Sequence, residues 1–240
     1  MTPTLAPLSP ETLERLRRIS TPTLSTQLLK LGFRSRFLHG LVPLSPEARM
    51  AGEAVTVRFV PAREDLATLE ALGDPAYPQR RAIEHIRPGQ VLVMDCRRVV
   101  DAAAAGDILV ARLQARGAAG LVADGGVRDF LPVKASGFPV YVAGPSAPAH
   151  VLRHLAVDVD VPIGCAEVLV MPGDVMVGDG EGVICVPRAL VEAVATAGLD
   201  QERLEAFLLE KVKAGAPLPG VYPPNAATLA EYEARRRPRG

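Results

Sequence analysis

Residues 106–129, GDILVARLQARGAAGLVADGGVRD, place an acid, an arginine and a second acid around one helix and one strand. Gly106 and Asp107 open an amphipathic helix, and Leu121, Val122 and Ala123 form a short apolar strand. A Gly125–Gly126 turn then delivers Arg128 and Asp129 side by side. A helix N-terminus carries free N–H groups and partial positive charge, so it attracts anions. Glycine at that place lets a ligand approach the backbone. An arginine holds a carboxylate through two parallel hydrogen bonds, and an aspartate offers oxygen to a hard divalent cation. Together these parts suit a small keto-acid bound to a metal.

Each part also has a plainer reading. Asp107 is a common helix cap, and the stretch 124–129 could be a turn with an exposed ion pair. The combination favours chemistry, because a strand-to-helix turn is where α/β folds place ligands. The two turns share one sheet edge if the strands flanking the helix are parallel neighbours.

Other chemistries have less to stand on. His150 and His154 are four apart and would share a helix face. A zinc-protease helix needs glutamate directly after the first histidine, and Val151 stands there. His39 and His85 have no evident partners. There is no Gly-x-Ser-x-Gly elbow and no G-x-G-x-x-G fingerprint. The Gly-Asp-Gly-Glu-Gly run at 178–182 lacks EF-hand spacing and reads as a hairpin turn. The only lysines are Lys30, Lys134, Lys211 and Lys213, none in an evident apolar site. A Schiff-base aldolase is therefore disfavoured, and carbon–carbon chemistry would use a metal as electron sink.

The surrounding pattern supplies a scaffold. Helices are expected over 10–19, capped by Ser9 with Pro10 first, and over 23–31, closed by Gly32. A strand is expected over 53–60, a helix over 77–87, and a strand over 90–95. Residues 130–136 read as a helix and 140–143 as a strand. Short strands follow over 157–187, broken at Pro172–Gly173–Asp174. The chain is helical from Ala189, with a break at 215–224 and a last polar helix over 225–237. Strands and helices interleave, so the class is α/β, with mixed strands and helical extensions at both ends.

Composition narrows the partners. Twenty-seven basic residues balance twenty-seven acidic ones, which gives no reason to expect nucleic acid or an anionic membrane. The Arg235–Arg236–Arg237 tail is the one strong basic cluster and reads as a solvated terminus. Cys96, Cys165 and Cys185 are too scattered for a disulfide framework or metal knuckle. Reduced thiols, no secretory leader in the first sixteen residues and no bilayer-length apolar run point to a cytoplasmic protein.

The run GDIL…GLVADGGVRD resembles the RraA-like family, which includes divalent-metal 4-hydroxy-4-methyl-2-oxoglutarate aldolases and regulators of ribonuclease E activity. STPTLSTQLLKLG, MAGEAVTVRF and VPIGCAEVLVMPGDVMVGDGEGVICVP are similar to its N-terminal helix, first core strand and closing strands. The resemblance implies a single compact αββα-type core over residues 20–190, similar to swivelling β/β/α domains. Helical extensions then occupy 1–19 and 191–240, the second able to pack on a neighbouring subunit. It also implies a homotrimer or homohexamer with sites at subunit clefts.

By position, Gly106, Asp107, Ile108 and Leu109 would bind the pyruvyl carboxylate, and Arg128 would pair with substrate. Asp129 would bind Mg²⁺ or Mn²⁺, and Asp107 would be the acid–base group. Glu202 or Glu205 of a neighbouring subunit would complete the site. The implied activity is a class II type retro-aldol cleavage to pyruvate, with oxaloacetate decarboxylation by the same site. The alternative is a non-catalytic regulator that docks on a ribonuclease. A third option is an enzyme of this scaffold in another sugar-acid or aromatic pathway.

Overall fold

The structure, a computed structural model, describes residues 7–236. The first six residues of the N-terminal stretch read above for a leader, and Arg237 of the basic tail, lie outside the described residues. In chain order the helices are α1 (Pro10–Arg17), α2 (Thr21–Lys30), α3 (Pro78–His85), α4 (Asp107–Ala115), α5 (Phe130–Ala135), α6 (Val191–Lys213) and α7 (Ala226–Arg236). The strands are β1 (Val42–Pro43), β2 (Met50–Pro61), β3 (Val91–Asp95), β4 (Ala103–Ala105), β5 (Gly120–Val127), β6 (Val140–Pro145), β7 (His154–Val159), β8 (Val175–Asp179) and β9 (Gly182–Val186).

Local chemistry sets several boundaries. Ser9 Oγ accepts the Thr12 N–H at 3.1 Å and starts α1, and Ser20 Oγ accepts the Thr23 N–H at 3.3 Å and starts α2. Each side-chain oxygen satisfies an N–H that the helix cannot. Gly180 and Glu181 join β8 to β9 as the expected tight hairpin.

The strands run β1-β6-β5-β3-β2-β8-β9, with β4 added to β5 and β7 to β2. The pairs β2–β3, β3–β5, β5–β6 and β4–β5 are parallel. β2 serves two surfaces. Met50–Glu53 pairs antiparallel with β8, while Ala54–Arg58 runs parallel to β3.

Side-chain alternation then builds the layers. Leu92, Met94, Leu121 and Ala123 pack with Ile83, Leu113 and Val133 of α3, α4 and α5. Val91, Val93, Val122 and Tyr141, on the other face, meet Met176, Val183 and Cys185 of the β8–β9 hairpin. The far face of the hairpin (Val175, Val177, Ile184, Val186) is covered by Leu16, Leu24, Leu28 and Val194 of α1, α2 and α6. The order is helix, sheet, sheet, helix. Each fully buried aliphatic side chain in these clusters contributes about 1.5–3 kcal/mol. The three cysteines are free and buried, and burial pushes the Cys185 thiol up to about 12, so it stays protonated. Among the described residues no helix is long and apolar enough to cross a membrane.

One local expectation is overturned. Gly125 and Gly126 do not end a strand; β5 continues through them to Val127 with an irregular register between Ala123 and Gly126. The reason is crowding. A Cβ on Gly125 would lie 2.7 Å from Cys96 Cβ, and one on Gly126 2.5 Å from Ser146 Cβ. The two glycines let the strand bulge against its neighbours rather than turn.

Candidate functional site

β4 and β5 are parallel neighbours, with Ala103 opposite Gly126 and Ala105 opposite Val127. The helices that follow them, α4 and α5, therefore start on the same sheet edge. The Arg128 N–H donates to Ala105 O at 3.0 Å and ties the two strand ends together. Gly106 makes the junction feasible. A Cβ on it would sit 2.6 Å from Asp129 Oδ2 and 2.9 Å from Arg128 Cγ. The opening of α4 and the Arg128–Asp129 pair thus meet at one point. Arg128 Nε lies 3.3 Å from Asp129 Oδ2, and the two side chains are 51% and 35% exposed. Asp129 takes a left-handed backbone (φ 54, ψ 42) at the N-cap of α5, a conformation that asparagine and aspartate tolerate best among non-glycine residues.

At the head of α4, Asp107 Oδ1 accepts the Ile108 N–H at 2.7 Å. Asp107 therefore does act as a local cap. Its Oδ2 and the amides of Asp107 and Leu109 have no protein partner among the described residues. Gly106, Asp107, Leu109, Arg128 and Asp129 all line one cleft of about 300 Å³.

The lining also carries His150, considered above only as half of a histidine pair, and Gln79 and Arg80, which no sequence pattern marks. Gln79 is fully buried and donates through Nε2 to Ala104 O, leaving Oε1 without a partner. Tyr77 Oη accepts the Ala156 N–H at 3.0 Å and lies 3.1 Å from His150 Nε2. With its oxygen so engaged, the tyrosine proton goes to Nε2, which puts the imidazole proton on Nδ1. The only faint trace of Gln79 and Arg80 in the sequence was a short helix after Tyr77–Pro78, whose cleft-facing side cannot be read from periodicity.

The histidine pair does not share a helix face. His150 sits in a short 3-10 turn and His154 begins β7. Pro148 and the pairing of β7 with β2 keep the segment from becoming helical. Burial first, then neighbouring His154 and Arg80, lower the His150 pKa to about 4. Burial and Arg97 lower His154 to about 4 as well.

This has a stability consequence. Both folded values lie below the ordinary histidine value of about 6.5. The unfolded chain therefore takes up protons first as pH falls. The stabilisation is present above about pH 6.5 and is lost progressively toward pH 4, by a few kcal/mol (an order of magnitude). Asp124 and Asp160, raised by burial, act in the opposite sense at the acid end. Urea unfolding between pH 7 and 5 should show the decline, and H150Q/H154Q should flatten it. A wild-type stability constant over that range would contradict the buried, neutral state of the pair.

Of the two glutamates considered for the site, neither lines this cleft within one chain. Glu202 accepts from the Ser20 amide at 2.8 Å and its hydroxyl at 2.7 Å. Glu205 accepts from Gln201 Nε2 at 2.6 Å. Both lie on α6, which packs on α1 and α2.

No three His, Cys, Asp or Glu side chains gather as a metal cage among the described residues. The donor set still fits one class of ion. Asp129 and the free oxygen of Asp107 are hard oxygen donors beside a half-open cleft. Mg²⁺ and Mn²⁺ accept one or two carboxylates, with water and substrate oxygen filling the rest. Zinc, which prefers nitrogen and sulfur, would find one histidine, His150, and no cysteine in this lining.

Comparison with known proteins supplies the context. A family model described as RraA-like (Aldolase/RraA) matches residues 21–185. The chain is 33% identical over 152 residues to a Halalkalibacterium halodurans protein named "Putative 4-hydroxy-4-methyl-2-oxoglutarate aldolase". That match covers 63% of this chain and 66% of the relative, just under two thirds of its length. Streptomyces coelicolor RraAS2, described as an unusual member of the RNase ES inhibitor RraA protein family, superposes with a TM-score of 0.75 at 30% identity. That superposition covers 85% of this chain and 98% of RraAS2. An uncharacterized protein from Pseudomonas syringae pv. tomato gives a TM-score of 0.78 at 26% identity, covering 91% of this chain and all of that one.

Proposed function

The chain belongs to the RraA-like family, and from that premise we propose that it is a divalent-metal-dependent lyase that cleaves a 4-hydroxy-2-oxo acid to pyruvate. The observation that carries this reading is the closure at Gly106, which sets a guanidinium, two carboxylates and an open helix N-terminus around one cleft. Asp129 would hold the ion, partly through water. When bound, Mg²⁺ or Mn²⁺ supplies Lewis acidity toward the 2-oxo oxygen.

The chain's own groups do the rest. The amides of Asp107 and Leu109 and the dipole of α4 receive the C1 carboxylate. Arg128 orients the 2-oxo group and faces the negative charge that develops on its oxygen as the C3–C4 bond breaks. Asp107 Oδ2 takes the proton of the C4 hydroxyl, through one water, as C4 becomes a carbonyl. The electron pair left at C3 is protonated, giving pyruvate. Oxaloacetate decarboxylation would use the same charge sink. On this reading the site is finished by a glutamate from a neighbouring protomer. Glu205 is the freer candidate, because Glu202 is engaged by Ser20.

Pyruvate release from 4-hydroxy-4-methyl-2-oxoglutarate, measured by coupled lactate dehydrogenase with and without Mg²⁺, tests the proposal. Metal-dependent turnover is expected. A second reading, a non-catalytic ribonuclease regulator, is favoured by the 30% identity to RraAS2. It predicts no turnover on any 2-oxo acid and direct inhibition of an RNase E-type enzyme.

A further inference from the structure

We infer that Arg80, with His150 beside it, is a specificity-determining pair that receives a second carboxylate at the far end of the substrate. The inference rests on the lyase reading for where the first carboxylate sits. Arg80 lies on α3 and lines the same cleft as Arg128. Its Nε donates to Leu72 O at 3.2 Å, which fixes the side-chain arm. Its two terminal nitrogens have no protein partner among the described residues, and no carboxylate there comes within ion-pair distance. Arg63, Arg112 and Arg153, by contrast, each hold a carboxylate. An unpaired guanidinium in a concave wall is a ready receptor for an anion, through two parallel charge-assisted bonds.

The neighbours fit the same ligand. His150 is 6% exposed and lines the cleft. The Tyr77 hydroxyl occupies its Nε2, so the Nδ1–H is a donor without an acceptor among the described residues. Gln79, in the same lining, keeps a buried Oε1 without a donor among the described residues. The lining therefore offers a cation and a neutral donor for one anionic group, and the helix opening with Arg128 for another. A ligand that satisfies both carries a carboxylate at each end, with the oxo group near Arg128. A cleft of about 300 Å³ is at the small end for ligand sites and suits a short-chain acid.

Isothermal titration with three 2-oxo acids in Mg²⁺ buffer tests this. 2-Oxoglutarate carries the second carboxylate, 2-oxopentanoate has the same chain length and a methyl end, and pyruvate reports the shared end. Wild type should bind 2-oxoglutarate about 10–100-fold more tightly than 2-oxopentanoate, the worth of charge-assisted hydrogen bonds. Arg80→Met should bring that ratio to within about threefold of unity by weakening 2-oxoglutarate alone, and Arg80→Lys should restore part of it. Equal wild-type affinity for the two five-carbon acids, with pyruvate bound, overturns the role of Arg80 and leaves the lyase reading standing. Failure of all three to bind overturns both. Loss of pyruvate binding in Arg80→Met as large as that of 2-oxoglutarate also overturns it, since Arg80 would then act on the shared end or on the fold.

Discussion

Replacing Arg128 with alanine is expected to lower kcat/KM for the 4-hydroxy-2-oxo acid by about 10²–10³-fold, the usual worth of one preorganised donor to a developing oxyanion. The side chain is half exposed and, among the described residues, its ion pair is with its neighbour Asp129. Exposed pairs of that kind contribute about 0–1 kcal/mol, so thermal stability should stay within a degree or two of wild type. Arg128→Lys should recover little, because an ammonium cannot reproduce the two-pronged geometry of a guanidinium. Steady-state kinetics beside a melting curve separates the two effects. Metal-dependent turnover unchanged in Arg128→Ala would remove the arginine from the reaction.

Asp129→Asn carries the second large effect. The residue is left-handed at φ 54, and asparagine accepts that conformation about as well as aspartate. The backbone should therefore hold while the negative charge is lost. The Mg²⁺ or Mn²⁺ concentration for half-maximal activity should rise by at least about 100-fold, since even groups that only support a metal ligand are worth 10–100-fold. Asp129→Ala should do the same and in addition destabilise the turn by about 1 kcal/mol. Mn²⁺ binding followed by electron paramagnetic resonance gives the affinity without relying on turnover. Unchanged Mn²⁺ affinity in Asp129→Asn would rule the carboxylate out as ligand.

The half of the site formed by contiguous sequence was legible, and the half formed by long-range packing was not. Gly106, Asp107, Arg128 and Asp129 lie within one helix–strand–helix unit, where hydrophobic period and glycine positions fix the geometry locally. Gln79, Arg80 and His150 come from α3 and from the turn before β7. They meet the cleft only because β7 pairs with the far half of β2, a register that no local pattern encodes. β4 was missed for a related reason. Ala103, Ala104 and Ala105 have no strand propensity, and they become extended only by pairing with β5. The Gly125–Gly126 bulge was read as a turn because glycine pairs usually mark turns. Here the missing side chains relieve contact with Cys96 and Ser146 instead.

The layered fold was easier to foresee than these details. Continuous apolar runs in 91–94 and 183–186 demand cover on both faces, and the second sheet and the flanking helices supply it. Asp124 belongs to the unforeseen part as well. It lies in the hexapeptide that ends in Arg128 and Asp129, yet it is buried and accepts the Ala166 N–H at 2.9 Å. It also accepts the amides of Cys96 and Arg98, so its work is to fasten two irregular loops to β5.

A crystal structure of the protein soaked with pyruvate and Mg²⁺ tests the shared pocket most directly. Pyruvate should lie with its carboxylate at the amides of Asp107 and Leu109, its oxo oxygen toward Arg128, and the ion on Asp129. Density for pyruvate elsewhere, or an ion that Asp129 does not touch, would contradict the account.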